Sequence, residues 1–166
     1  ATGASAFTSG IDSTYKLYIF KFYDVRPDTD NIKFAVDFST DGGSNYGMTK
    51  TTTGFYAYHT EDDSAAALEY STGHDLAQSA DPQKVTDGVD TGEADASAAG
   101  ELFLFNPSNT TYVKHFYGTS NNKGGATTVN FYFGGYVNST SDIDAVQFEF
   151  ESGNIATSVI KMYGVG

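Results

Sequence analysis

Three histidines, His59, His74 and His115, are the side chains best suited to metal binding or acid–base catalysis. None of them sits at a ligand spacing such as His-x-x-x-His, which would present two imidazoles to one metal ion. The chain has no Gly-x-Ser-x-Gly elbow and no Cys, so thiolate nucleophiles, thiolate ligands and disulfides are excluded. We therefore predict no catalytic residues, no cofactor and no cofactor-binding residues, and a hydrogen-bonded structural role for His115 within a strand.

Two groups of carboxylates offer other chemistry. Glu149 and Glu151 point to one side of a predicted strand, and paired acids can flank a glycosidic bond, although a wet sheet face explains this pair more simply. Residues 87–95 are acidic and Gly-spaced, so their oxygens could bind Ca²⁺, but they lack the D-x-D-x-D-G order of a calcium loop. We interpret the segment as a solvated loop and leave open whether it binds a metal ion.

The composition excludes two classes of partner. Nine Lys and Arg stand against 21 Asp and Glu, a net charge of −12, whereas nucleic-acid binding needs a basic face and anionic lipid attracts basic segments. No apolar run approaches the roughly 20 residues of a membrane-spanning helix. The 12 Tyr and 13 Phe include rings that could stack on sugars, but most of them must fill a core.

The elements that must position these side chains are strands. Residues 101–105 are apolar on both sides, because Leu102 and Leu104 face one way and Phe103 and Phe105 the other. Such a strand is expected in the centre of a sheet, covered above and below. Residues 32–38 and 143–151 alternate instead, which predicts strands with one wet side. Further strands are predicted at residues 15–25, 54–59, 111–117, 129–137 and 158–163.

These patterns predict an all-β chain, a single antiparallel β-sandwich with a jelly-roll-like connection and roughly eight strands. Residues 14–166 form the domain, and residues 1–13 form a polar N-terminal arm whose Phe7 and Ile11 are expected to dock on a neighbouring copy. The side chains predicted to be buried are Ile19, Phe20, Phe34, Val36, Leu102, Leu104 and Phe148.

Three segments carry more local predictions. Residues 39–46 resemble an Asp-box hairpin, in which Asp41 accepts backbone N–H groups and Gly43 takes a positive φ. Residues 60–70 could form a short helix capped by Thr60 or a compact loop, and the sequence favours neither. Gly134 and Gly135 indicate a bulge or kink in their strand.

Four segments resemble, in this order, segments of small structural proteins of marine tailed bacteriophages. They are IDSTYKLYIFKF at 11–22, FYAYHTEDDSAAALEY at 55–70, GELFLFNPSNTTYVKHFYG at 100–118 and IKMYGVG at 160–166. The family often has His where this chain has Phe103, and residues 86–99 are unusually acidic here. These differences affect the surface and one loop, and the framework of strands is unchanged.

The resemblance implies a β-sandwich on a virion, as a capsid decoration or a tail or fibre appendage, and it carries over no catalytic residues. We therefore expect a non-enzymatic virion structural protein, displayed in many copies on the particle surface, that binds copies of itself and other virion proteins. The alternative is a carbohydrate-binding sandwich module that attaches to host-surface glycans. A polysaccharide-cleaving enzyme is disfavoured because no set of acids or histidines converges in the sequence.

Overall fold

The computed structural model describes residues 1–166, which form twelve strands and no helix. The strands are β1 (Ala4–Phe7), β2 (Leu17–Pro27), β3 (Phe34–Ser39), β4 (Lys50–Thr60), β5 (Ala66–Tyr70), β6 (Ala77–Ser79), β7 (Gln83–Lys84), β8 (Ala98–Phe105), β9 (Lys114–Gly124), β10 (Thr127–Val137), β11 (Ala145–Phe150) and β12 (Ile155–Val165). A helix long and apolar enough to cross a membrane is therefore not found.

The strands form two antiparallel sheets that pack against each other. The smaller sheet has the order β1-β11-β3-β7, and the larger has the order β12-β2-β8-β9-β10-β4-β5, with β6 also paired to β4. This arrangement confirms the predicted all-β antiparallel sandwich. It contains twelve strands rather than roughly eight, because four of them have five residues or fewer and leave little periodic pattern in the sequence. The jelly-roll connection stays a prediction.

Alternate residues of both sheets fill a single core of mostly aromatic side chains. Six of the seven residues predicted to be buried are buried, namely Phe20, Phe34, Val36, Leu102, Leu104 and Phe148. Phe34 and Phe148 stack across the β3–β11 pair with ring centroids 5.7 Å apart. The prediction for Ile19 is wrong. Successive side chains of a strand point to opposite faces, so with Phe20 in the core Ile19 lies outside and half-exposed.

Strand β3 is buried on both sides, so the predicted wet side is wrong for Ala35 and Asp37, which are 1% and 3% exposed. The chain after β3 folds back over this side, and Lys50 donates to Asp37 at 2.6 Å and to the Met48 carbonyl at 2.6 Å. Burial raises the pKa of Asp37 and lowers the pKa of Lys50, while the attraction between the two groups opposes both shifts.

Residues 60–70 form neither a helix nor an irregular loop. A tight turn follows Thr60, in which Asp63 has a positive φ of 59°, and the chain returns as strand β5 beside β4. The Thr60 hydroxyl accepts from the Ala65 N–H and so closes the turn. Pairing with β4 outweighs the helix propensity of the alanines, because it satisfies backbone groups along one side of the segment.

The N-terminal segment packs on its own domain, so the expectation that Phe7 and Ile11 dock on a neighbour is wrong. Residues 4–7 form the edge strand β1 against β11. Phe7 makes edge-to-face contacts with Phe20 and Phe148, and Ile11 is only 5% exposed. Two apolar side chains are enough to anchor a short segment when backbone pairing adds to them.

The Asp-box prediction is correct for the bonds of the turn and wrong for the hairpin that was expected around it. Asp41 accepts from the Asn45 backbone and side chain, Ser39 Oγ accepts from the Gly43 N–H, and Gly43 has a φ of 82°. The bonds from Asn45, with a further one from the Ser39 hydroxyl, lower the pKa of Asp41 to about 2. The flanking strands β3 and β4 lie in different sheets, however, so the segment crosses between the sheets and is not a hairpin.

The pair Gly134–Gly135 forms no bulge, because β10 keeps a continuous register with both of its neighbours there. A Cβ at Gly135 would collide with the carbonyl oxygen of Thr51 on β4. Glycine therefore permits close approach of the strands at this position.

Candidate functional site

The larger sheet has a second face that points away from the smaller sheet. Leu102 and Leu104 of β8 fill the core, so Phe103 and Phe105 lie on this outer side and are half-exposed. The prediction that this strand is central is confirmed, but the prediction that it is covered on both faces is wrong. We call this surface the outer aromatic face and define it by Tyr23, Phe55, Leu68, Tyr70, Phe103, Phe105, Tyr117, Tyr132, Tyr163 and Val165.

Exposed hydrophobic side chains are concentrated on the outer aromatic face. Ten large hydrophobic residues of the protein are exposed, and all but the loop residues Tyr15 and Tyr112 belong to it. Tyr117 is 53% exposed and Tyr132 is 43% exposed. Single exposed hydrophobic residues are ordinary, whereas a contiguous patch of them is typical of an interaction surface.

The rings of the outer aromatic face stack on one another across neighbouring strands. Phe55 and Tyr132 stand opposite each other in register, with centroids 5.1 Å apart and an interplanar angle of 14°. Tyr117 stacks on Phe103 at 5.1 Å and on Phe105 at 5.4 Å. The centroid distances match the spacing of about 4.8 Å between strands. The ring planes are therefore roughly perpendicular to the sheet, and the ring edges and tyrosine hydroxyl groups point outward.

Acidic side chains are almost absent from this face, although the chain contains 21 of them. Three acids are the exceptions. Glu101 points outward from β8 and pairs with Lys21 at 3.2 Å, Asp24 lies at the bulge of β2, and Asp75 accepts from the Tyr70 hydroxyl at 2.7 Å. Lys161 lies with its Nζ 5.7 Å from the centroid of the Tyr23 ring. The face is therefore close to neutral on a strongly acidic molecule, and depletion of charge is typical of interface cores.

The histidines lie in three separate places. His59 is exposed on β4 and contacts Asp63 at 2.9 Å. His115 is exposed on the outer side of β9, packs edge-on against Tyr136 and makes no hydrogen bond within the protein, so its predicted hydrogen-bonded role is wrong. The structure does not bring the three imidazoles together, and no group of three or more His, Asp or Glu side chains is arranged to hold a metal ion.

His74 does have partners, which its sequence neighbourhood did not indicate. Its Nδ1 lies 2.6 Å from Ser71 Oγ, and its Nε2 lies 3.1 Å from the Thr86 carbonyl and 3.8 Å from Asp87. This order resembles a Ser-His-Asp triad, but Ser71 and His74 are only 6% and 5% exposed. Burial lowers the pKa of His74, and the nearby Asp87 opposes the shift. These bonds join the two ends of residues 71–87, and the imidazole packs on Phe131 of the larger sheet with ring centroids 4.6 Å apart. The group is therefore too buried to meet a substrate.

Glu149 and Glu151 line a cavity of about 360 Å³ beside the smaller sheet, together with Asp81 and Lys84. Glu151 pairs with Lys84 at 3.1 Å, and Glu149 accepts from Gln147 at 3.0 Å. Burial raises the pKa of Glu149. The two acids stand side by side along one strand, whereas glycoside hydrolysis requires carboxyl groups on both sides of the bond.

The acidic segment 87–95 is anchored to the domain. Arg26 donates to the carbonyls of Thr91, Glu93 and Ala96, and Lys123 contacts the Glu93 carboxylate. Val89 is fully buried, so the segment is more than the solvated loop that was expected. Within the segment, the Asp90 carboxylate also accepts from the Gly92 N–H at 2.6 Å.

Neither a scan against protein-family models nor a search of curated proteins found a match for this chain. The candidate site therefore rests on the geometry of the chain itself.

The outer aromatic face could have been found in the sequence. Residues 17–23 and 101–105 carry large apolar groups on both sides, and only one side of a strand can face the core of a two-layer sandwich. The same pattern is also typical of a strand covered on both faces, and the two-layer packing decides between the two.

Proposed function

We propose that this protein is a non-enzymatic structural protein that works in many copies on a virion surface and associates with itself through the outer aromatic face. The observation that carries the proposal is the concentration of exposed Tyr, Phe, Leu and Val on one nearly neutral sheet face. Aromatic residues are enriched and charged residues depleted in the cores of protein interfaces. The remaining surface carries almost all of the acids and resists non-specific contact.

The size of the face suits a second copy of the chain. Seven strands about 4.8 Å apart make a surface roughly 29 Å wide, and four outward rows of residues extend it about 24 Å along the strands. A face of about 700 Å² on each copy buries about 1,400 Å² in total, which falls within the range of stable, specific interfaces. Pairing like faces across a twofold axis closes the assembly.

Each copy completes its own core before it associates. The accessible surface of 7600 Å² is close to the roughly 8,000 Å² expected for a folded monomer of this mass. The contact we propose therefore joins folded domains, and changing the outer aromatic face should leave the monomer folded.

Carbohydrate binding is the alternative function, and ring geometry makes it the weaker candidate for this face. A sugar ring stacks on the free flat side of an aromatic ring. Here Phe55 covers one side of Tyr132, and Tyr117 stacks on both Phe103 and Phe105. The rings present their edges outward, an arrangement that suits packing against another protein surface.

Mass photometry and sedimentation velocity of the double variant Tyr117→Thr/Tyr132→Thr test the proposal. We expect wild-type protein to form a closed oligomer, and the double variant to need at least about tenfold higher concentration. The matched control is Tyr15→Thr, an exposed loop tyrosine that packs against Tyr18 on the other side of the sheet, and it should associate like wild type.

Salt provides a second readout. Raising the ionic strength should preserve or strengthen the oligomer, because each copy carries a charge of −12 and repulsion is screened over about 10 Å at 0.1 M. A strict monomer at high concentration would contradict self-association, and equal weakening by Tyr15→Thr would contradict its assignment to the outer aromatic face. Absence of the chain from purified particles would contradict the virion role, and selective binding on a glycan array would favour the alternative.

A further inference from the structure

A cavity of about 370 Å³ lies on the other side of the larger sheet, opposite the outer aromatic face. Its sheet wall contains Tyr56 and Tyr58 of β4, which alternate with the outward Phe55 and Ala57. The opposite wall is formed by Asn31 and the backbone around Gly88. The cavity is therefore separate from the surface to which self-association is assigned.

The aromatic wall is a pair of half-buried tyrosines. The ring centroids of Tyr56 and Tyr58 are 6.2 Å apart with an interplanar angle of 40°, so the two rings are inclined to each other and do not stack. The Tyr56 hydroxyl donates to Glu69 Oε2 at 3.0 Å, which holds that ring in place. Two inclined rings that line a cavity form part of a cage of the kind that surrounds a cation.

The charge of the cavity is negative. Glu69 and Asp87 both line it, and neither carboxylate pairs with a lysine or an arginine of the chain. Asp87 has only the buried imidazole of His74 near it, at 3.8 Å. Of the 21 acidic residues, only Asp37, Glu61, Glu93, Glu101 and Glu151 contact a lysine. This cavity is therefore distinguished by the combination of its unpaired carboxylates with two tyrosine rings.

We propose that this cavity binds the ammonium or guanidinium group of a lysine or arginine side chain of a partner protein. The tyrosine rings attract a cation through their quadrupoles, and the two carboxylates accept its N–H groups in charge-assisted hydrogen bonds. A neutral sugar would gain nothing from the uncompensated charge, whereas a basic group neutralises it. The negative field of the whole chain steers cations toward the site.

Titration of ¹⁵N-labelled protein with arginine amide, followed by NMR, tests the proposal. We expect shifts of the Gly88, Gly124 and Thr127 amides, which line the cavity, with a dissociation constant on the order of 1 to 10 mM for this single group. Citrulline amide is the matched probe, because it has nearly the same shape without the side-chain charge. It should bind at least about tenfold more weakly.

Variants locate the site on the chain. Tyr58→Leu and Glu69→Gln should each weaken arginine amide by about three- to tenfold. Tyr70→Leu, on the outward side of β5, and Asp95→Asn, an exposed acid outside the cavity, should bind like wild type. Binding should also weaken as salt is added, opposite to the response expected of the outer aromatic face.

Equal binding of citrulline amide would overturn the proposal, because charge would then not be recognised. Shifts produced by glucose and not by arginine amide would assign the cavity to polyols and also overturn it. The proposal would also be overturned if no amide that lines the cavity shifted, or if Asp95→Asn weakened binding as much as Glu69→Gln. None of these outcomes depends on whether the outer aromatic face associates.

Discussion

The two sides of strand β8 carry the same class of residue and have opposite environments. Leu102 and Leu104 are fully buried between the sheets, whereas Phe103 and Phe105 are half-exposed beside Tyr117. The hydrophobic effect has no direction, so an apolar side chain gains stability from whatever covers it. On the inner side the cover is the chain itself. On the outer side we assign the cover to another copy.

The largest difference between buried and exposed positions is expected for the ion pairs. Lys50→Met leaves Asp37 buried without its partner and should lower the free energy of unfolding by about 3–5 kcal/mol. Lys21→Met breaks the exposed pair with Glu101 and should change the free energy of unfolding by less than about 1 kcal/mol. Urea denaturation measures both. A loss of less than about 1 kcal/mol for Lys50→Met would mean that Asp37 is not buried in solution.

Truncation of the neighbours on β8 is the next largest contrast. Leu104→Ala should destabilise the fold by about 2–5 kcal/mol, because it leaves a cavity among fully buried neighbours. Phe105→Ala, on the half-exposed side, should cost the monomer about 1 kcal/mol and weaken self-association instead. Thermal or chemical denaturation of dilute protein compares them. A cost below about 0.5 kcal/mol for Leu104→Ala would show that the strand faces are assigned wrongly.

A smaller, pH-dependent effect is expected from His74 behind the larger sheet. Burial lowers its pKa below the usual 6.5, so the unfolded chain binds more protons between the two values. Stability from neutral His74 is present above pH 6.5 and is lost as the pH falls toward the folded pKa, with a slope of at most about 1.4 kcal/mol per pH unit. His74→Gln should remove this slope from the pH dependence of unfolding. An unchanged slope in the variant would contradict the assignment.

The smallest effect is expected at the exposed turn that joins the sheets. The folded pKa of Asp41 is about 2, below the ordinary 3.8, because Asn45 and Ser39 donate to its carboxylate. The turn is therefore fully bonded above pH 3.8 and loses these bonds as the pH falls through about 2. The Asn45 amide resonance should follow this titration in Asp41-containing protein and not in Asp41→Asn. A midpoint near 3.8 would mean that the turn is open in solution.

The all-β architecture and most of the core could be predicted from the sequence. Strand periodicity places Phe34, Val36, Leu102 and Leu104 in the core, because a period of two is a property of the backbone and needs no partner to be seen. The bonds that Ser39 and Asn45 make to Asp41 are local in the same sense, since they span at most four residues, whereas the Gly42 N–H donates to the distant Asp144 carboxylate.

Only the tertiary structure decided what covers each face. The sequence predicts a solvent-facing side for Ala35 and Asp37, but a returning segment buries both. It predicts burial for Phe103 and Phe105, but both face outward. The partners of His74 lie up to 13 residues away, and the cavity of Tyr56, Glu69 and Asp87 is also lined by the distant Asn31 and Val129. The apolar pattern of a sequence indicates which side chains gain stability when they are buried. Which neighbour buries them depends on how the sheets pack, because that packing rests on contacts between residues far apart in sequence.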